Sequence, residues 1–246
     1  MRAFLVLIAT AAIGTAQSPA FEVASIRPAD SAHTMSINRS GNRISFSNYS
    51  LAMLIEWAYN IRGDRLLGKT KGLESVRYDV EAVTPQQPLP PGQLYLMMRT
   101  LLAERFNLAV HNETRELTHY EMIVDKGGAK IHPQPPDGPP GQNPFSMTAR
   151  GHLSGTKITA DMLAKVLTDQ SGRFVEDHSG INGVFDFTLD WTPDTAGLSD
   201  EPEPSSRNAP SLFTAVREQL GFRLDARKGP VEVVVIDHVE NVPTGN

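Results

Sequence analysis

Apolar positions along this chain follow two periods, and the switches between them mark the elements. Phe21-Glu22-Val23-Ala24-Ser25-Ile26 alternates until Arg27-Pro28, which predicts an opening strand with one buried face. Arg43 to Asn48 is the next strand, after a Ser40-Gly41-Asn42 turn. Ser50 is placed to cap a helix in which Leu51, Leu54, Ile55, Ala58 and Tyr59 share one stripe. A short strand is expected within Arg65 to Thr70, and Tyr78 to Val83 shows period two, with Asp79 and Glu81 on the wet face. Gln93 to Phe106 is the clearest helix, with Leu94, Met97, Met98, Leu101 and Leu102 at i, i+3, i+4, i+7 and i+8. Leu108 to Thr114 and Leu117 to Lys126 then predict a hairpin.

The same order returns after residue 150. Thr159 is placed to cap a helix carrying Met162, Leu163, Val166 and Leu167. A short strand at Phe174 to His178 and an alternating strand at Phe185 to Trp191 follow. The last helix carries Leu212, Phe213, Val216 and Leu220 and stops at Gly221. A closing hairpin is expected from Phe222 to Val239, turned at Lys228-Gly229-Pro230. Ile44, Ser45, Ser47 and Leu54 match Leu153, Ser154, Thr156 and Leu163 at an offset of about 109 residues. The expectation is an internally duplicated α+β fold, each half ordered strand, helix, strand, strand, helix, hairpin on mostly antiparallel sheet. The division runs as 21–132 for the first repeat, 133–150 for a Pro/Gly-rich linker, and 151–246 for the second repeat with a mobile loop at 193–210.

Residues 1–16 look like a signal peptide. Arg2 supplies the charge, Ala3 to Ile13 the apolar run, and Gly14-Thr15-Ala16 the small-residue cleavage site, with a cut after Ala20 as the alternative. The run is shorter than the roughly 20 residues a membrane span needs. The chain has no cysteine, which excludes disulfides, thiolate sites and a lipid-anchored lipoprotein. Its net charge of −5, or −6 once Arg2 is removed, argues against a nucleic-acid or anionic-membrane surface. Export to the periplasm or beyond the cell is expected.

Candidate chemistry is sparse. The seven histidines are scattered, and none has zinc-ligand spacing. His111 and His119, on the two arms of the predicted hairpin, could meet across it and hold a metal with Glu113 or Glu121. Ser154 to Lys157 has the S-x-x-K spacing but falls in a strand, without its companion motifs. Asp177-His178-Ser179 has triad residue types that cannot form a triad as neighbours. Trp57 to Tyr59 could line a pocket. No catalytic, cofactor or metal residue is assigned.

Several stretches together resemble a known family. They are FEVASIRP from Phe21, RYDVEA from Arg77, LLAERFNLAVHNETREL from Leu101, DKGGAKIHP from Asp125, GINGVFDFTLDWTPD from Gly180, and PSLFTAVREQLGFRL with KGPVEVVVIDHVE from Pro210. The chain is similar over nearly its whole length to the bacterial "soil-associated protein" family, an exported domain of unknown function. In some relatives that domain lies behind antibiotic-sensor-like membrane metallopeptidases. The resemblance implies export and brings no catalytic residues. Where that family usually has Leu-Pro-Val-Tyr, this chain has Leu117-Thr118-His119-Tyr120, so His119 is not a family feature.

The functional expectation is therefore a non-enzymatic module binding a protein, peptide or envelope component. Strand addition at an open edge, Phe21 to Ile26 or Phe174 to His178, is the expected mode. The alternative is a hydrolase whose site only the fold assembles.

Overall fold

The computed structural model describes residues 18–30, 34–85, 88–135, 145–149, 151–193 and 209–245. The fold is α+β, with strands in three four-stranded sheets among the described residues.

The first sheet combines β1 (Val23–Pro28), β2 (Ser36–Ser40), β3 (Arg43–Ser50) and β5 (Arg77–Val83) in the order β1-β5-β3-β2. Helix α1 (Leu51–Tyr59) begins where Ser50 Oγ accepts the Met53 N–H at 3.2 Å, and ends at Asn60 in the left-handed region. Beyond a 3₁₀ turn at Gly63–Arg65 lies β4 (Leu66–Gly68). Helix α2 (Gln93–Phe106) packs on α1, and both bury their apolar stripes with Ile44, Phe46, Leu54, Tyr78 and Leu102 in one core.

A second such sheet contains β7 (His132–Gln134), β8 (Phe145–Ala149), β9 (His152–Ile158) and β11 (Val184–Asp190), ordered β7-β11-β9-β8. Helix α3 (Ala160–Ser171) is capped by Thr159, whose hydroxyl accepts the Met162 N–H at 3.2 Å. With α4 (Leu212–Ala215), which runs on as a π-helix over Val216–Leu220, it covers a core of Leu153, Leu163, Phe185, Leu189 and Phe222.

The two sheets share details of register. In the first, Ile44 faces Ala82 and Phe46 faces Val80 before an irregularity; in the second, Leu153 faces Leu189 and Gly155 faces Phe187 before another. Each irregularity holds one residue at positive φ, Asn48 at 58° and Lys157 at 51°. Each of these donates its backbone N–H to a carboxylate on the facing strand, Asp79 at 2.8 Å and Asp186 at 2.7 Å.

The third sheet joins the two cores. Its centre is a ribbon of β6 (Ala109–Val124) and β12 (Phe222–His238), paired antiparallel from Val124–Phe222 to Ala109–His238. Strand β10 (Val175–Asp177) runs parallel to β6 on one side, and β4 parallel to β12 on the other. Neither predicted hairpin forms: each is one long strand, and the two pair with each other. The ribbon ends explain this, because Val110 and Ile236 pack with the first core while Met122 and Phe222 are buried in the second. Pro230 is tolerated opposite Glu116 because β4 reaches only Val234–Ile236, which leaves one side of β12 unpaired at the proline.

The cores therefore do not follow the division at 21–132 and 151–246. Among its described residues, the expected linker at 133–150 holds the end of β7 and all of β8. Pro133 fits because β7 is an edge strand, where a missing N–H leaves no inner ladder broken. Most of the expected loop at 193–210 lies outside the described residues.

Candidate binding cleft

The central sheet leaves an open cleft of about 440 Å³ where the two cores meet. One wall is the C-terminal end of α1 with Tyr59, Arg62 and Arg65, joined by Arg99 of α2. Asp161 and Lys165 of α3 and Phe174 to Asp177 form the other, and Asn112 and Glu232 lie on the ribbon between them.

Two arginines are held in the same way. Arg65 donates from Nε to the Glu232 carbonyl at 2.7 Å and lays its guanidinium 4.5 Å from the Phe174 ring centroid. Arg99 donates from Nε to the Ala58 carbonyl at 2.8 Å and stacks 4.4 Å from the Tyr59 centroid. In both, a carbonyl fixes one edge and an aromatic ring covers one face. Among the described residues neither has a carboxylate within 4 Å. Burial draws the Arg65 pKa below its usual value, and Glu232, Glu176 and Asp64 oppose this from a distance.

Three of the four lining carboxylates are already engaged. Asp161 pairs with Lys165 at 2.8 Å, Glu176 with His178 at 3.1 Å, and Asp177 accepts the Ser179 N–H at 2.9 Å. From the cleft wall, Arg62 reaches across to Asp169 of α3 at 3.8 Å. Glu56, on α1, has its pKa raised to about 7, chiefly by burial, with Arg62 pulling it down and Glu74 and Asp169 pushing it up. Burial also raises Asp169, although half of that side chain meets solvent, which weakens the effect.

The residues singled out from sequence scatter. His111 and His119 lie eight positions apart on the single strand β6, about 26 Å at ~3.3 Å per residue, so they cannot share a metal. His111 pairs with Asp237 at 2.9 Å; buried His119 lies 3.6 Å from Glu176. Among the described residues no three His, Cys, Asp or Glu side chains are placed to hold a metal. Lys157 is the bulge residue of β9 and Asp79 braces the β3 bulge, so both have structural duties. Tyr59 does line the cleft, whereas Trp57 turns to Tyr95, 4.8 Å away between ring centroids. Arg65 and Arg99 escaped the sequence reading, since no local pattern marks an arginine that will stack on a ring far along the chain.

Of the two edges expected to recruit a strand, β10 is an edge strand of its sheet with one backbone donor already used. Its Val175 N–H is taken by the buried Thr168 hydroxyl at 2.9 Å. β1 is the other edge, beside a groove of about 290 Å³ lined by Phe21, Val23, Thr100 and Glu104. No helix among the described residues is long and apolar enough to cross a membrane.

Residues 52–239 match a family described as protein of unknown function (DUF3738). No curated protein and no solved structure matches the chain.

Proposed function

The chain belongs to this family of unknown function, and we propose that it is an exported, non-enzymatic module that binds a protein, peptide or envelope component in the cleft between its two cores. The observation that carries the reading is the pair of immobilised arginines in that cleft, with most of its carboxylates in contact with other partners. Guanidinium groups fixed before a ligand arrives favour recognition, because little ordering remains to be done on binding.

The two halves are then copies of one unit that have exchanged their last strands. The matching strand orders, registers and bulge hydrogen bonds support this, as does the offset of about 109 between β4 and β10. The cleft lies at the joint that the exchange creates.

Export rests on Arg2, the apolar run and Gly14 to Ala16. Cleavage after Ala16 suits the fold better than cleavage after Ala20, because the Pro19 carbonyl accepts the Thr100 hydroxyl at 2.8 Å. Sequencing of the exported protein should begin at Gln17; intact Met1 on a cytoplasmic protein would contradict export. For the cleft, Lys165→Trp places an indole there from a half-exposed position on α3. Ligand recovered from envelope extract on the wild-type chain should be lost on this variant at an unchanged melting temperature. Equal recovery would move the site elsewhere.

Two observations favour other readings. Glu56, with its pKa near neutrality, is suited to general acid–base work, which supports a hydrolase; turnover of any recovered ligand that Glu56→Gln abolishes would establish it. The β1 edge supports strand addition; a proline at Ala24 that stops binding would establish that.

A further inference from the structure

A planar guanidinium has three faces of interest: its Nε edge, its ring face and the fork of its two terminal nitrogens. In Arg65 and Arg99 the first two are occupied by protein, by a backbone carbonyl and an aromatic ring in each case. Among the described residues no carboxylate lies within 4 Å of either fork. Both side chains are half-buried, and a half-buried charge with no carboxylate in direct contact is costly to keep. Around them Asp161, Glu176 and Asp177 are engaged with Lys165, His178 and the Ser179 amide. Glu232, Glu176 and Asp64 act on Arg65 only from beyond contact distance, so among the described residues the forks of Arg65 and Arg99 have no carboxylate directly against them.

Resting on the cleft reading above, we propose that the cleft takes a small ligand bearing an anionic oxyacid group, a carboxylate or a phosphate, held by the forks of Arg65 and Arg99. Two parallel N–H···O bonds from one guanidinium match such a group in shape and charge, which a lysine cannot reproduce. Asn112, exposed on β6, supplies a neutral amide on the cleft floor that tolerates the incoming anion. The rest of the ligand lies along Tyr59 and Phe174, whose rings already line the cavity.

Titration calorimetry on the mature full chain, with inorganic phosphate and with succinate at low ionic strength, tests this. The wild-type protein should bind at least one probe saturably. Arg65→Lys and Arg99→Lys should each weaken that probe at least ten-fold. Asn112→Asp, which puts a carboxylate into the cleft without touching either arginine, should weaken it as much and covers the case in which an arginine variant misfolds. Arg115→Gln, an exposed arginine paired with Glu113 outside the cleft, should change nothing. Binding of phosphate alone assigns a phosphate-bearing ligand, and binding of succinate alone a carboxylate-bearing one. No binding of either probe, or equal weakening by Arg115→Gln, overturns the proposal. If ligand recovered from envelope extract is then still lost on Lys165→Trp, the cleft remains the site and only the anion chemistry falls.

Discussion

Glu56 allows the sharpest test of how the joint between the cores is held. Its carboxyl is raised from an ordinary 4.5 to about 7, burial being the largest cause. At about 1.4 kcal/mol per unit of pKa, that gap corresponds to roughly 3 kcal/mol. The side chain is partly in contact with water, so screening reduces the figure to on the order of 1–2 kcal/mol. The sign follows from proton binding. The folded state holds this proton more tightly than the unfolded chain, so the contribution to stability is complete below about pH 4.5 and is lost as pH rises through about 7. Asp169, raised by burial, acts in the same direction. Glu56→Gln removes the titration and keeps the shape. Urea unfolding should show the variant equal to wild type at pH 4 and more stable by on the order of 1–2 kcal/mol at pH 8. A variant less stable than wild type by a constant amount from pH 4 to pH 8 would refute the reasoning, since it would mean that ionised Glu56 is a net stabilising partner of Arg62.

Other outcomes follow from the packing. Leu54→Ala and Leu163→Ala, both at 0% exposure and each four residues past its helix cap, should each cost about 2–5 kcal/mol in thermal or urea unfolding; one of them neutral would count against the proposed duplication. Gly221→Ala should cost about 1–3 kcal/mol from its left-handed backbone alone, and more because the new Cβ meets the Gly128 carbonyl; an unchanged melting temperature would contradict that contact. His111→Ala, an exposed side chain paired with exposed Asp237, should shift stability by less than about 0.5 kcal/mol and leave ligand binding as it was.

The helices were legible because their ends are chemical. Ser50 and Thr159 announce a cap that the structure forms through their own hydroxyls, and Gly221 occupies the left-handed stop expected of it. Alternation found β5 and β11 for the same local reason: period two reports one buried face. The central ribbon was not legible. Lys228-Gly229-Pro230 carries turn residues, and nothing nearby says that β6, more than one hundred residues away, will pair through them. That choice is made by Val110 and Ile236 in one core and Met122 and Phe222 in the other. The cleft was hidden by the same mistake. A hairpin reading sets His111 against His119 and suggests a metal, while the open ribbon separates them and brings Arg65 to Phe174 instead.

The central claim, that ligand binds at the joint between the cores, is tested most directly by hydrogen–deuterium exchange of the mature chain with and without envelope extract. Slowed exchange should appear together at residues 59–65, 161–168, 174–177 and 232–234, the segments that wall the cleft. Protection confined to residues 21–28 along the β1 edge, with the cleft segments unchanged, would contradict it.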